Sequence, residues 1–283
     1  MRCNKTNTFA MLLGVLIGLA GTVVQGADDD LKIKTVSGPA EVDMDGIAKV
    51  GLPAGYEFLN GDSTRTYLEA IGEPTSGEEV GLITPTNADW SVFFEFSAIG
   101  YVKDDDKDKL DPDKLLKAIR RGNDEGNKHR VKAGQPPLEL VGWEVPPHYD
   151  EKTHQLEWAI RATCEGKPIL NYNTRLLGRK GVMEAVLVVE PEELQKTMPA
   201  FRDLLTTYSF QTGNSYAEFR SGDKVAKYGL AALVLGGTAV GAAKLGLFAT
   251  LAAFLKKGWK LVVVGIAALA ALIKKVFSGR STR

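Results

Sequence analysis

Apolar residues follow three rhythms along the chain. The first has a period of two, which sends successive side chains to opposite faces of a strand. Within 90–102, Val92, Phe94, Phe96 and Ala98 alternate with Ser91, Glu95 and Ser97. Leu156, Trp158, Ile160 and Ala162 alternate with Glu157 and Arg161, and Leu170, Tyr172 and Leu176 with Asn171, Asn173 and Arg175. Gly178-Arg179-Lys180-Gly181 is a tight turn into 182–189, which is apolar at both parities and so reads as a central strand. Three strands joined by short loops predict an antiparallel meander over 154–189. Glu41 to Val50 leads through Gly51-Leu52-Pro53-Ala54-Gly55 to Tyr56 as strand, turn, strand. Val141, Trp143 and Val145 form a further strand, which Pro146-Pro147 is expected to end.

The second rhythm is helical. Asp62-Ser63 caps a short helix to Ile71, stopped by Gly72. Pro74 to Glu79 reads as a loop. Asp111-Pro112 starts a helix that runs to about Lys132, with Leu115, Leu116 and Ile119 as its core face. Asn123, Asn127 and Arg130 continue that face with polar groups, while Gly122 and Gly126 each weaken the helix by ~1 kcal/mol relative to Ala. Exposure of this half to solvent is the simpler reading; contact with a partner or a sheet edge is the other. Pro191-Glu192-Glu193 opens a last helix to about Leu205. The fold class is therefore α+β, an antiparallel sheet with flanking helices, in one domain over 28–225.

The third rhythm is unbroken apolarity at the ends. Arg2 and Lys5 precede the uncharged run Phe9 to Ala20, and Val24-Gln25-Gly26 ends in a small residue before Ala27 and three aspartates. This pattern reads 1–27 as a secretory signal peptide. At the other end, Gly229 to Ala243, Leu245 to Leu255 and Leu261 to Ile273 carry no charge, and Lys and Trp stand only at their edges. Residues 226–283 are expected to be a helical transmembrane region with a basic tail. Two spans near 227–247 and 258–277 would form a hairpin; one span at 258–277 would obey the positive-inside rule. The apolarity of 229–243 favours two. Gly237 and Gly241 supply a GxxxG spacing through which copies of the chain could associate.

Charge sharpens this division. The 283 residues carry 35 bases and 35 acids, but no acid lies in 1–26 or 226–283, which hold two and nine bases. The middle keeps 24 bases against 35 acids, a formal charge of −11. An acidic domain does not suit nucleic acid, which needs a basic face. Cys164 is the single thiol left after cleavage, so no internal disulfide can form.

Candidate chemistry is sparse. No Gly-rich phosphate loop and no Gly-x-Ser-x-Gly elbow is present. Asp104, Asp106 and Asp108 fit the first positions of a calcium loop, but Lys109 stands where glycine is needed and Leu115 where glutamate is needed, so a solvated turn is expected. His148, Asp150 and His154 are metal-capable but lie on a turn between strands. His129 reads as a surface residue on the long helix. Asn171, Asn173 and Arg175, with Arg179 just beyond, share one strand face that could hold a carboxylate, a glycan or a peptide strand; the wet face of an antiparallel sheet is the plainer reading. No cofactor is expected.

Several stretches resemble a family of uncharacterised membrane-anchored bacterial proteins, a domain of unknown function. They are Leu52 to Tyr56, Ile99 to Asp105, Asn127 with Arg130, Val141-Gly142-Trp143, Pro146 to Asp150 with Thr153-His154, Leu170 to Arg175, Leu177-Gly178-Arg179, Asp223 to Ala226 and Tyr228-Gly229-Leu230. The resemblance covers about 45–275 and implies a bacterial envelope protein with a C-terminal anchor. It implies no activity, cofactor or catalytic residue. The expected function is a non-catalytic binding or assembly module outside the cytoplasmic membrane. Its partners would be the lipid bilayer, an envelope protein or the cell wall, and further copies of the chain. The alternative is an envelope hydrolase or metal-dependent enzyme using His148, Asp150 and His154 with Arg175.

Overall fold

A computed structural model describes residues 33–236, apart from 72, 74 and 133–135. The signal-peptide reading and nearly all of the expected membrane region lie outside the described residues.

The domain is α+β. Eleven strands form two antiparallel sheets: β1 (Thr35–Ser37), β2 (Ala40–Met44), β3 (Ala48–Leu52), β4 (Tyr56–Asn60), β5 (Glu79–Pro85), β6 (Trp90–Ser97), β7 (Leu138–Asp150), β8 (Gln155–Cys164), β9 (Lys167–Leu177), β10 (Val182–Val189) and β11 (Tyr208–Phe210). The large sheet has the order β1-β4-β5-β6-β10-β9-β8-β7, and the small one β11-β3-β2. The meander expected at 154–189 is β8-β9-β10, with Trp158 opposite Asn173 and Asn173 opposite Val186. Helices α1 (Gly61–Ala70), α2 (Pro112–Lys132), α3 (Leu194–Thr206) and α4 (Leu230–Val234) complete the unit.

Both faces of the large sheet are covered, by different material. On the inner face, Phe94, Tyr172, Met183 and Leu187 pack against Met44 and Val50 of the small sheet and Phe201 and Leu204 of α3. On the outer face, α1 covers one end through Leu68, which meets Leu82, Phe93 and Val188. Leu115 of α2 and Leu230 and Leu233 of α4 cover the other end over Leu156, Trp158 and Val182. Between these two covers a polar strip is left.

Four sequence readings change. First, Glu41 to Val50 is not one strand: Asp45 (φ 53°) and Gly46 (φ 68°) make a two-residue hairpin turn between β2 and β3, with the Asp43 carboxylate accepting the Gly46 N–H at 2.7 Å. Second, β5 adds a strand that alternation cannot show, because it lies between β4 and β6 and is buried on both faces. Third, Pro146-Pro147 does not end β7, which runs on to Asp150. It is an edge strand with shifts of register, and an edge tolerates prolines that cannot donate to a ladder.

Fourth, the polar half of α2 is not simply solvated. Asn127 donates to Leu138 O (2.7 Å) and accepts from Leu138 N (2.8 Å); Asn123 also donates to Leu138 O, and Arg130 Nε donates to Pro136 O. These side chains satisfy the main chain at the start of β7, so the sheet edge is held there by a helix rather than by another strand. Asn127→Ala should cost about 1–2 kcal/mol, because one N–H loses its acceptor. A larger loss of protection at Leu138 than at β10 in hydrogen exchange would confirm it.

Candidate functional site

The polar strip is built by strand register. Glu79 of β5 lies opposite Glu95 of β6, Glu95 opposite Glu184 of β10, and Glu184 opposite Arg175 of β9. Three carboxylates and one guanidinium thus cross four neighbouring strands in a single row, at cross-strand spacings of roughly 5 Å. Glu79 is 2% exposed and is held by the amides of Ser76 (2.5 Å) and Gly77 (2.9 Å). Arg175 is 8% exposed; its Nη2 lies 2.6 Å from the Glu184 carboxylate and its guanidinium stacks on Trp158 at 4.9 Å. Its Nε and Nη1 are buried without a partner, as is Asn171 Oδ1. Ser97 Oγ lies 2.8 Å from Glu78 and 3.2 Å from Glu184.

Burial pushes the Glu95 carboxyl up to about 7, and Glu184 and Glu79 on either side push the same way. The sign of the consequence follows. The folded chain keeps a proton that the unfolded chain releases near 4.5, so stability should fall as pH rises from about 4.5 to about 7 and then level off. Glu73, pushed up to about 7 by burial, acts in the same direction. Melting temperatures at about pH 5 and about pH 8 should differ less in Glu95→Gln than in the parent, with a residual slope from Glu73.

The seven residues singled out from sequence do not converge. Asn171, Asn173 and Arg175 do share the outer face, where Asn173 Nδ2 donates to Asn171 O at 3.2 Å. Arg179 lies past the end of β9 and forms a two-pronged pair with Asp223 at 2.7 and 2.8 Å. That pair holds the Asp223 carboxyl down at about 2. His148 points to the inner face, where its Nε2 is 3.3 Å from Glu157, which also accepts the Tyr172 hydroxyl at 2.6 Å. The Glu157 hydrogen bond raises the His148 pKa. His154 belongs to the outer face: its Nδ1 meets Tyr149 Oη at 3.1 Å, and its ring stacks on Tyr216 at 4.2 Å. The one hydroxyl proton of Tyr149 goes to Asp104 (3.0 Å), so Nδ1 of His154 carries the proton of the other bond. Asp150 accepts the Lys152 amide in the turn. His148, Asp150 and His154 therefore share no coordination point, and among the described residues no group of three His, Cys, Asp or Glu side chains could hold a metal ion.

Sequence reasoning missed a second constellation, the fastening of residues 214–236. Arg179 N–H donates to Asn214 O, and Gly178 bridges Ser215. Tyr101 N–H donates to Lys224 O and Tyr101 O accepts from Ala226 N, both at 2.8 Å. The Asp106 carboxylate, rejected as a calcium ligand, accepts the amides of Leu230 (3.1 Å) and Ala231 (3.4 Å). Gly229 makes that approach feasible, since a Cβ there would lie 2.6 Å from the carboxylate. Leu230, Leu233 and Val234 are then buried. The first residues of the span expected at 227–247 are thus packed into the domain, and no helix among the described residues is long and apolar enough to cross a membrane. Nothing in the local pattern at 103–109, where lysines interleave with the acids, pointed to an acceptor for main chain more than a hundred residues away.

Comparison with known proteins places this chain in a family. Residues 36–267 match the family described as "Protein of unknown function (DUF2167)", so the chain belongs to it. No curated protein matches. Among solved structures, cyanobacterial PsbP (CyanoP) from Synechocystis sp. PCC 6803 aligns at 10% identity and a TM-score of 0.34, covering 63% of this chain and 92% of that one. The immunity protein TplEi of the T6SS from Pseudomonas aeruginosa aligns at 7% identity and a TM-score of 0.26, covering 72% and 86%. At these TM-scores neither likeness bears on function.

Proposed function

We propose that this DUF2167 protein is a membrane-anchored extracytoplasmic module of the bacterial envelope that binds or assembles partners rather than transforming a substrate. The observation that carries the reading is the fastening of 214–236. The segment that leads to the apolar tail is not a loose tether; hydrogen bonds to Tyr101, an ion pair to Arg179 and the Asp106 cap lock it to the sheet. A domain locked to its anchor holds a fixed face toward the membrane and another toward its surroundings, which suits assembly. The residues beyond 236 supply the apolarity for the anchor and the Gly237/Gly241 spacing for self-association. The strip around Asn171, Asn173 and Arg175 is the surface offered to an envelope or cell-wall partner.

Fractionation tests the anchor. The full chain should stay with membranes through an alkaline carbonate wash and leave them only with detergent, and a chain stopped after Gly236 should leave with the soluble fraction. Release of the full chain by carbonate alone would remove the anchored reading.

A further inference from the structure

We propose that the surface formed by Tyr101, Phe219 and Val225 lies in the headgroup layer of the phospholipid bilayer that receives the C-terminal tail. This rests on the anchored reading above and adds an orientation to it.

Three observations converge. Phe219 and Val225 are each 39% exposed, two of the five large apolar side chains exposed among the described residues. They belong to one patch: the Phe219 ring lies 4.2 Å from the Tyr101 ring, and Val225 is the parallel bridge partner of Tyr101, which puts their side chains on the same face. The patch is rigid, because Tyr101 also stacks on Tyr216 at 4.4 Å, and the Tyr216 hydroxyl is bonded to Val102 O. Rigid aromatic rings with one polar tip suit the boundary between hydrocarbon and water.

Place supplies the second observation. Tyr101 and Tyr216 belong to the same packed cluster as Leu233, Val234 and Leu235. After Gly236, residues 237–255 contain one charged side chain, Lys244. The patch therefore adjoins the point where the chain turns apolar. A bilayer that takes up the tail there must bring its surface against the neighbouring side chains.

Charge is the third. Arg220, Lys224 and Lys227 are exposed around the patch. Several acids near them along the chain are engaged, Glu218 by the amides of Gly213 and Ser215, Asp223 by Arg179, Asp106 by the α4 amides and Asp104 by Tyr149, while Asp105 is exposed. Exposed basic side chains beside an apolar surface match phosphate headgroups, although Lys224 Nζ also donates to Ala98 O at 3.0 Å.

Spin labels on the full chain, reconstituted in vesicles of phosphatidylcholine and phosphatidylglycerol, test the proposal. Labels go at Val225→Cys, at Val36→Cys on β1, an edge strand of the large sheet, and at Leu269→Cys in the tail. The background is Cys3→Ser, Cys164 being 2% exposed. Relaxation by membrane-soluble oxygen and by a water-soluble nickel complex is compared. The expected result is a Leu269 label relaxed mainly by oxygen, a Val36 label relaxed mainly by nickel, and a Val225 label whose nickel relaxation is several-fold below that at Val36 and whose oxygen relaxation is higher. If Leu269 lies in hydrocarbon while Val225 behaves as Val36 does, the orientation is wrong and the anchor stands. A Val225 label shielded from both reagents means a protein occupant, a second copy included, and also overturns the proposal. If Leu269 itself is water-exposed, the anchored reading fails and this one with it. A Lys227→Cys label repeats the measurement should Val225→Cys not fold.

Discussion

Arg175→Ala should destabilise the domain by about 2–4 kcal/mol, somewhat less than the loss of one partner from a fully buried ion pair, because Glu184 keeps a quarter of its side chain exposed. The cost comes from what remains rather than from the pair itself. Without the guanidinium, Glu184 faces Glu95 directly and has only the Ser97 hydroxyl at 3.2 Å to answer it. Trp158 also loses the group stacked on its ring at 4.9 Å. Chemical denaturation at neutral pH measures the loss. Two further outcomes separate this mechanism from a simple packing defect. The deficit should shrink at about pH 5, where Glu95, pushed up to about 7, is protonated and no longer repels Glu184. The double variant Arg175→Met with Glu184→Gln should recover most of it, since a longer apolar side chain and a neutral amide leave no unpaired charge. If the double variant is as unstable as Arg175→Ala, the row has no electrostatic part in stability.

Gly100→Ala should cost a similar amount, about 2–4 kcal/mol, through a combination of backbone strain and overpacking. Gly100 has φ +99°, outside the range that L side chains adopt readily, and a Cβ there would lie 2.6 Å from Lys224 O. That oxygen is the acceptor for Tyr101 N–H, so the methyl would break the ladder that binds 224–226 to the sheet. The effect should therefore be local as well as global. Amides at Ala226, Leu230 and Ala231 should lose protection before those of β10. Uniform loss across the domain would show that the glycine serves the sheet and not the fastening.

What the sequence displayed was the part of the fold fixed by neighbours along the chain. The meander was visible because polar and apolar residues alternate along β8 and β9 and Gly178 to Gly181 closes the turn. The start of α2 was visible because Asp111 and Pro112 signal it locally. The row Glu79-Glu95-Glu184-Arg175 was not legible, since Glu95 and Glu184 are single acids within apolar strands, Glu79 follows another acid at a strand start, and only register brings them together. His148 and His154 misled for the same reason. They are close in sequence, but the turn at 151–154 resets which face a position occupies, and they finish on opposite sides of the sheet. The amides of α2 were ambiguous because nothing in their spacing says that β7 starts beside them. The burial of Leu230 and Val234 was hidden by the apolarity of the stretch that follows, which reads continuously with them.

Hydrogen exchange of the full chain in lipid bilayers probes most directly whether the sheet domain is locked to the segment that enters its tail. The amides of Tyr101, Ala226 and Leu230 should exchange as slowly as amides in β9 and β10, because each has a fixed acceptor in Lys224, Tyr101 or Asp106. Exchange of Ala226 and Leu230 at the rate of an unstructured linker, with β9 and β10 still protected, would contradict it.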